Sequence, residues 1–522
     1  MSNSTRRPGG DSVERSAHGG HPGHSTRPQG FWAALAAWLH GLLRKFTVLR
    51  GAIRELWLVF AVKLLGIAAY ALTNSTLVLW LSSDFGYSDQ AALGLVAAWS
   101  VSMTVMTLLV GSLTDALGLR KTFLLGAWVC ILARAIMAFT SIKWLALAGG
   151  LFPLALGEAL GTPVLVAAVR RYSTTPQRSI SFSIFYVMMN FGFLVSGYLF
   201  DFIRQGLGEH GHFTILGLQL STYRTLFLAS LVLEISLLPF LYFLRSGAEA
   251  TDDGLKIVAA QIKARAGSLL GAAVQTVRDS ARDTLRLFAG LLRQDGFYRL
   301  LGFLLLIAFL KLIFKQMDYV YPKFGIRELG DGAPLGQLFN INSIAIILLV
   351  PLVGALTQRF SAYRMVVLGG AISAASVFIM ALPLAWFEPL AKGAFGHWVG
   401  HVYLGLQGSV HPYYVMITLF VLLLSVGEAF YSPRVYEYAA AIAPKGQEAS
   451  YGALSYVPFL LAKLMVGTVS GVLLAKYCPE VGPRHSGTMW LIIALMATVA
   501  PVGLILFRRF IRVPEAGRLL AK

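Results

Sequence analysis

The chain has 522 residues, 56% of them hydrophobic and only 13% charged, about half the charged share of a soluble domain. Its formal net charge of +19 does not point to nucleic acid, because the basic residues fall in short segments between apolar runs, as the positive-inside rule places them. Two cysteines, Cys130 in an apolar run and Cys478 in a loop, make neither a disulfide framework nor a zinc site.

Residues 1–30, rich in Ser, Gly, His, Pro and Arg, read as a disordered tail. No apolar core with a cleavage site follows them, so a cleaved signal peptide is not expected. Residues 31–54 mix Phe31, Trp32, Leu35 and Leu39 with Arg44, Lys45, Arg50 and Arg54, the pattern of a basic amphipathic helix on a membrane surface. Six apolar runs follow at roughly 57–82, 88–113, 119–140, 143–170, 178–203 and 222–245, each long enough to cross a bilayer as a helix. A linker at about 246–298 sets Lys256, Lys263, Arg265, Arg278, Arg282 and Arg286 among Leu, Ile and Val at helical spacing, which predicts one or two amphipathic surface helices. Six more runs lie at roughly 299–322, 334–358, 363–386, 412–443, 449–475 and 485–510, before a tail at 511–522. The expectation is an all-α integral membrane protein of twelve spans, in six-helix bundles over 57–245 and 299–510.

Arg120 and Lys121, Arg170, Arg171 and Arg178, Arg359 and Arg364, and Arg508, Arg509 and Arg512 all fall on one side of this arrangement. The intervening loops are poor in Lys and Arg, so both termini and the linker are expected in the cytoplasm of a multi-pass inner (plasma) membrane protein.

Two segments recur. Gly111-Ser-Leu113-Thr114-Asp115 matches Gly354-Ala-Leu356-Thr357-Gln358, each with a basic residue ten positions on (Lys121, Arg364) and a glycine at +15 (Gly126, Gly369). Gly157-Glu158-Ala159-Leu-Gly-Thr162-Pro163 matches Gly427-Glu428-Ala429-Phe-Tyr-Ser432-Pro433, midway along the fourth run of each half. The offsets are 243 and 270, and the loop 387–411 accounts for the difference. Six helices repeated once and joined by a long linker is the architecture of major facilitator transporters.

The loop Gly111-x-Leu113-x-Asp115-x-x-Gly118-x-Arg120-Lys121 resembles the major facilitator loop motif, whose charges form a gating network during alternating access. Phe185-Tyr186-x-x-x-Asn190-x-Gly192, Asn342 with Pro351, Gly427-Glu428 with Ser432-Pro433 and Ala443-Pro444-Lys445, and Leu77-x-x-Trp80-Leu81 resemble segments of its proton-dependent oligopeptide transporter family. The resemblance covers about 57–510 apart from the linker and the loop at 387–411. It implies a substrate-contacting Glu428, cavity-lining Asn342 and Gln316, with Tyr70 and Ser432 nearby, and gating roles for Asp115, Arg120 and Lys121. It also marks departures. Lys63, Gly66 and Ile67 stand where the family carries two glutamates and an arginine in its first helix, Thr162 stands where it has a lysine, and Lys315-Gln316 stands where it often has Glu-Gln.

Lys63, Arg134, Glu158, Glu234, Lys311, Lys315, Asp318, Glu428, Arg434, Glu437 and Lys463 all fall within apolar runs. An ionised side chain near the bilayer centre costs at least about 2.5–3.5 kcal/mol, so such groups face a cavity or a partner. Glu428 is a candidate for substrate binding and proton coupling, against a static ion pair with Lys463. Glu158 is the second proton-coupling candidate. It either bridges to Lys315 across the bundles, or pairs locally with Arg134 while Lys315 pairs with Asp318. Asn190 reads as an interhelical hydrogen bond. His397 and His401, four residues apart but without Cys or nearby carboxylates, do not make a metal site. No cofactor motif and no nucleophile–base set is present, so an enzyme is not expected.

The expected function is secondary transport of a small zwitterionic or amine-bearing, peptide-like solute by alternating access, with proton symport, in a monomeric unit. A proton-driven exporter of a drug or metabolite, and a transporter-fold receptor or assembly protein, are the alternatives.

Overall fold

A computed structural model describes residues 47–215, 217–251, 254–257, 278, 282, 295–357, 360–442 and 457–512. The segment up to Arg50 is a unit of its own, described only by a 3-10 turn that begins at Thr47. Of the surface helix expected at 31–54, residues 31–46 lie outside the described residues, as do the tails at 1–30 and 513–522; the rest is the turn Thr47–Gly51 and the start of the first long helix at Arg54.

Among the described residues, twelve helices are long and apolar enough to cross a membrane. They are α1 Arg54–Ser83, α2 Asp89–Leu117, α3 Leu119–Phe139, α4 Lys143–Arg171, α5 Thr175–Leu207, α6 Thr222–Tyr242, α7 Asp295–Tyr319, α8 Leu335–Leu356, α9 Ala362–Ile379, α10 Pro412–Ile442, α11 Leu460–Tyr477 and α12 Ser486–Leu506. Their outer faces expose Trp128, Leu132, Phe202, Leu348 and Leu495. Water would penalise these side chains, whereas lipid tails solvate them. Inside the first bundle α1 packs on α5 and α6, and α3 on α4 and α6. Inside the second, α9 packs on α10 and α12, and α7 on α11 and α12. The bundles meet along α5 with α8 and along α2 with α11.

The sequence repeat marks one recurring helix crossing. Gly126 of α3 meets Gly157 of α4, where a Cβ on Gly157 would lie 3.1 Å from the Gly126 carbonyl oxygen. Gly369 of α9 meets Gly427 of α10, where a Cβ on Gly427 would lie 2.7 Å from the Gly369 carbonyl oxygen. Small residues let two backbones approach in a medium that offers no hydrophobic drive between helices.

Three segments differ from the sequence expectations. α9 stops at Ile379, and a turn Leu384–Phe387 with short helices Glu388–Lys392 and Ala394–His397 takes up the residues that follow. The loop before α6 forms a hairpin, β1 His212–Ile215 with β2 Leu218–Ser221. The linker opens not as a helix but as a second hairpin, β3 Ala248–Thr251 with β4 Gly254–Ile257. Two residues separate the paired Thr251 and Gly254, the shortest common hairpin connection; the rest of the linker at 258–294, apart from Arg278 and Arg282, lies outside the described residues.

Candidate functional site

At one end of the molecule, where α1 runs into α2 and α7 into α8, ionic contacts tie the bundles together. Asp89, the first residue of α2, accepts hydrogen bonds from Arg327 at 2.7 and 2.9 Å and pairs with Lys323; both cations belong to the short helix Tyr321–Leu329 after α7. Arg327 also donates to the Cys478 carbonyl at 2.7 Å. Asp201 of α5 accepts from the backbone amides of Gly336 (3.0 Å) and Gln337 (2.7 Å), two of the free N–H groups in the first turn of α8. Arg204 pairs with Glu209 and donates to the Ala333 carbonyl at 3.3 Å. Burial pushes the Glu209 carboxyl up, but Arg204, the Tyr223 hydroxyl and the Gly332 amide outweigh it and hold the group below its ordinary range. None of these residues stands out in the sequence, since each contact joins positions more than a hundred residues apart or lies in a loop without a motif.

Away from this closure lies a cavity of about 350 Å³, lined mainly by α1–α6, with Lys315 of α7 and Lys463 of α11 from the second bundle. Phe123, Leu165 and Leu241 on its wall sit near the ends of α3, α4 and α6 that carry Arg120, Arg170 and Tyr242. The cavity therefore extends toward the basic end, opposite the closure.

Arg134, fully buried on α3, organises one wall. Its Nε donates to Ser230 at 2.7 Å and Thr73 at 3.3 Å, its Nη1 to Glu234 at 3.1 Å and its Nη2 to Glu158. One guanidinium thus joins α1, α3, α4 and α6. α4 breaks just beyond Glu158, at Leu160–Gly161. Pro163 has no N–H to give to the carbonyl four residues earlier, so the break follows from the sequence.

Of the expected site residues, the cavity brings together Tyr70, Lys63, Glu158 and Lys315. The bridge from Glu158 to Lys315 is not formed: Glu158 pairs with Arg134, and Lys315 with Asp318 one turn along its own helix. Local partners satisfy both charges without spanning the cavity. Glu428, Asn342, Gln316 and Ser432 do not line this cavity. Glu428 accepts from Asn342 Nδ2 at 3.1 Å, and Lys311 acts on it electrostatically. Ser432 lies 3.5 Å from Lys311 Nζ, and Gln316 donates to Ser470 between α7 and α11. Lys463 does not pair with Glu428; it reaches across to α2, to the Ser100 carbonyl at 3.3 Å and the Thr104 hydroxyl at 3.2 Å. Asn190 donates to the Tyr186 carbonyl one turn back in its own helix rather than to another helix. At the basic end Arg120 donates to the Tyr242 carbonyl at 2.9 Å and lies over that ring, and Lys121 is exposed. The Asp115 side chain lies outside the described residues.

The sequence model of the Major Facilitator Superfamily matches residues 59–409. The chain belongs to this superfamily. No curated protein matches this major facilitator by sequence. Solved structures do match it. A POT family transporter in complex with 5-aminolevulinic acid shares 17% identity at a TM-score of 0.61, covering 88% of this chain and 97% of that one. A POT family transporter with a thioalcohol-conjugated peptide shares 17% identity at 0.62, covering 88% and 97%. An auto-inhibited POT family peptide transporter shares 16% identity at 0.63, covering 90% and 99%. At such identity the likeness is one of fold: two six-helix bundles about a central cavity. This major facilitator is a multi-pass membrane protein and a secondary transporter, not an enzyme.

Proposed function

We propose that the chain carries a small peptide-like zwitterion across the inner membrane by proton symport, as a monomer with both termini in the cytoplasm. The observation that supports this most is the double sign of the cavity. Lys63, Lys315 and Lys463 share about 350 Å³ with Glu158 and Glu234, among otherwise mostly apolar side chains. Ligand sites of this size orient their occupants with a few convergent polar groups on apolar walls, and groups of both signs suit a solute with an amine and a carboxylate. A structure of the same fold holds 5-aminolevulinic acid, which carries both groups.

Glu158 takes the proton. It and Glu234 share the single guanidinium of Arg134, so the cluster holds one negative charge in excess, and a proton on Glu158 removes it. The bundles rock between two facing states about the cavity. In the state described the closed end is held by Asp89 with Lys323 and Arg327, and by Asp201 on the first turn of α8. Those contacts break for the cavity to open there, while Asp115, Arg120 and Lys121 gate the basic end.

Uptake of labelled dipeptides into proteoliposomes under an imposed proton gradient tests this. Accumulation driven by an inward gradient is expected. Flux in the opposite sense identifies a proton-driven exporter, and no flux of any peptide, amino acid or amine under either gradient removes transport of a zwitterion altogether.

A further inference from the structure

The cavity's carboxylates and lysines are not equally committed. Glu158 and Glu234 are held by Arg134, and Lys315 is held by Asp318. Among the described residues, Lys63 on α1 and Lys463 on α11 have no such partner. Lys63 is 3% exposed and lines the cavity with its ammonium 4.5 Å from the centre of the Phe185 ring. Among the described residues it makes no hydrogen bond and has no carboxylate within 4 Å; Glu158 acts on it only from farther away. Lys463 is 5% exposed and touches only a carbonyl and a hydroxyl, again with no carboxylate within 4 Å among the described residues. A buried ammonium lacking a counter-anion is costly to maintain, and one that lines a cavity is the natural seat for an anionic ligand group.

These two cations stand on different bundles. A solute with one carboxylate can satisfy one of them. A solute with two carboxylates satisfies both and ties α1 to α11, drawing the bundles together around it. Resting on the zwitterion reading above, we infer that the transported solute carries net negative charge: an amine with two carboxylates, of the class of acidic dipeptides, with one carboxylate on Lys63 and the other on Lys463.

The test compares four dipeptides on the full-length protein: alanyl-glutamate, its near-isosteric amide alanyl-glutamine, alanyl-alanine and alanyl-lysine. Thermal shift in detergent reads binding, because a ligand stabilises the state that binds it. Proton-driven uptake in proteoliposomes reads transport. Alanyl-glutamate is expected to bind about tenfold more tightly than alanyl-glutamine, with alanyl-lysine weakest. Lys63→Gln and Lys463→Gln are each expected to bring that ratio to within about twofold, while Lys63→Arg keeps it. The wild-type ratio decides the matter even where a variant does not fold. Equal binding of the glutamate and glutamine peptides, or tightest binding of alanyl-lysine, overturns the inference and leaves zwitterion transport standing. If none of the four shifts the melting temperature or enters the vesicles, the inference and the reading beneath it both fall.

Discussion

Gly126 meets Gly157 in the first bundle as Gly369 meets Gly427 in the second, and a glutamate follows each crossing on the same helix. Around those glutamates the bundles diverge. Glu158 faces Arg134 eight residues beyond Gly126, while the position eight beyond Gly369 is Val377. Glu428 is served instead by Asn342 and Lys311. α4 breaks after its glutamate, whereas α10 runs unbroken through Pro433 to Ile442. One recurring crossing thus carries a guanidinium-centred carboxylate pair on the cavity wall in one bundle, and an amide-bonded carboxylate away from that wall in the other. The backbone repeat is a packing solution, and the side chains set on it decide which copy handles charge.

Removing each glutamate's partner gives the largest effects and the sharpest contrast. Arg134→Gln leaves two buried carboxylates without their cation and is expected to destabilise the protein by about 3–5 kcal/mol. Asn342→Ala takes one hydrogen bond from Glu428 and is expected to cost about 1–3 kcal/mol. Thermal unfolding in detergent compares them, and equal losses would remove the asymmetry between the bundles. The crossings themselves are expected to behave alike. Gly157→Val drives a side chain onto Cys130 and the Gly126 carbonyl, and Gly427→Val onto Ser373 and the Gly369 carbonyl. Overpacking of this kind costs about 1–3 kcal/mol, and the two losses should agree to within about 1 kcal/mol. A Gly427 variant as stable as the wild type would show that only the first crossing is tight.

The closed end, to which both bundles contribute, yields smaller effects. Ser75 of α1 lines a gap between the bundles with Ser196 of α5, Asp318 of α7 and Asn340 of α8; Asp89→Asn weakens the ties to Lys323 and Arg327 and is expected to speed labelling of a cysteine placed at Ser75 by a reagent confined to that side of the membrane. An unchanged rate would mean that the α5–α8 contact alone holds the closure. Glu209 contributes to the pH dependence there, beside the carboxylates Asp89 and Asp201. Its carboxyl lies below the ordinary range in the folded state, so its contribution is present above the unfolded value of about 4.3 and is lost as pH falls through the folded one. Labelling at Ser75 should therefore rise under acid conditions, and Glu209→Gln should reduce that rise.

The twelve spans were legible because apolar length and loop charge are local properties, and the repeat was legible because close helix crossings demand glycine in both copies. Arg134 and Asp318 could be named as possible partners of Glu158 and Lys315 from their positions alone. Choosing them over a bridge across the cavity required the separation of the helices, which no spacing encodes. The closure was illegible for the same reason: nothing in the positions of Asp89, Lys323 and Arg327 shows that the helix following α7 brings the two cations beside the carboxylate. Lys463 is a candidate partner for Glu428 by sequence position, yet it reaches across the bundle interface to Ser100 and Thr104. The linker hairpin was missed because the helical spacing of the basic residues along the linker pointed to a helix from its start.

Proton-driven uptake by Glu158→Gln beside Glu428→Gln tests most directly whether the first bundle's carboxylate pair carries the proton. In proteoliposomes with an inward proton gradient, Glu158→Gln is expected to lose uphill accumulation while retaining substrate counterflow, which needs no proton movement. Glu428→Gln is expected to keep gradient-driven accumulation. Uphill accumulation by Glu158→Gln at the wild-type level, or its loss in Glu428→Gln alone, would contradict the assignment of proton coupling to the Arg134 cluster.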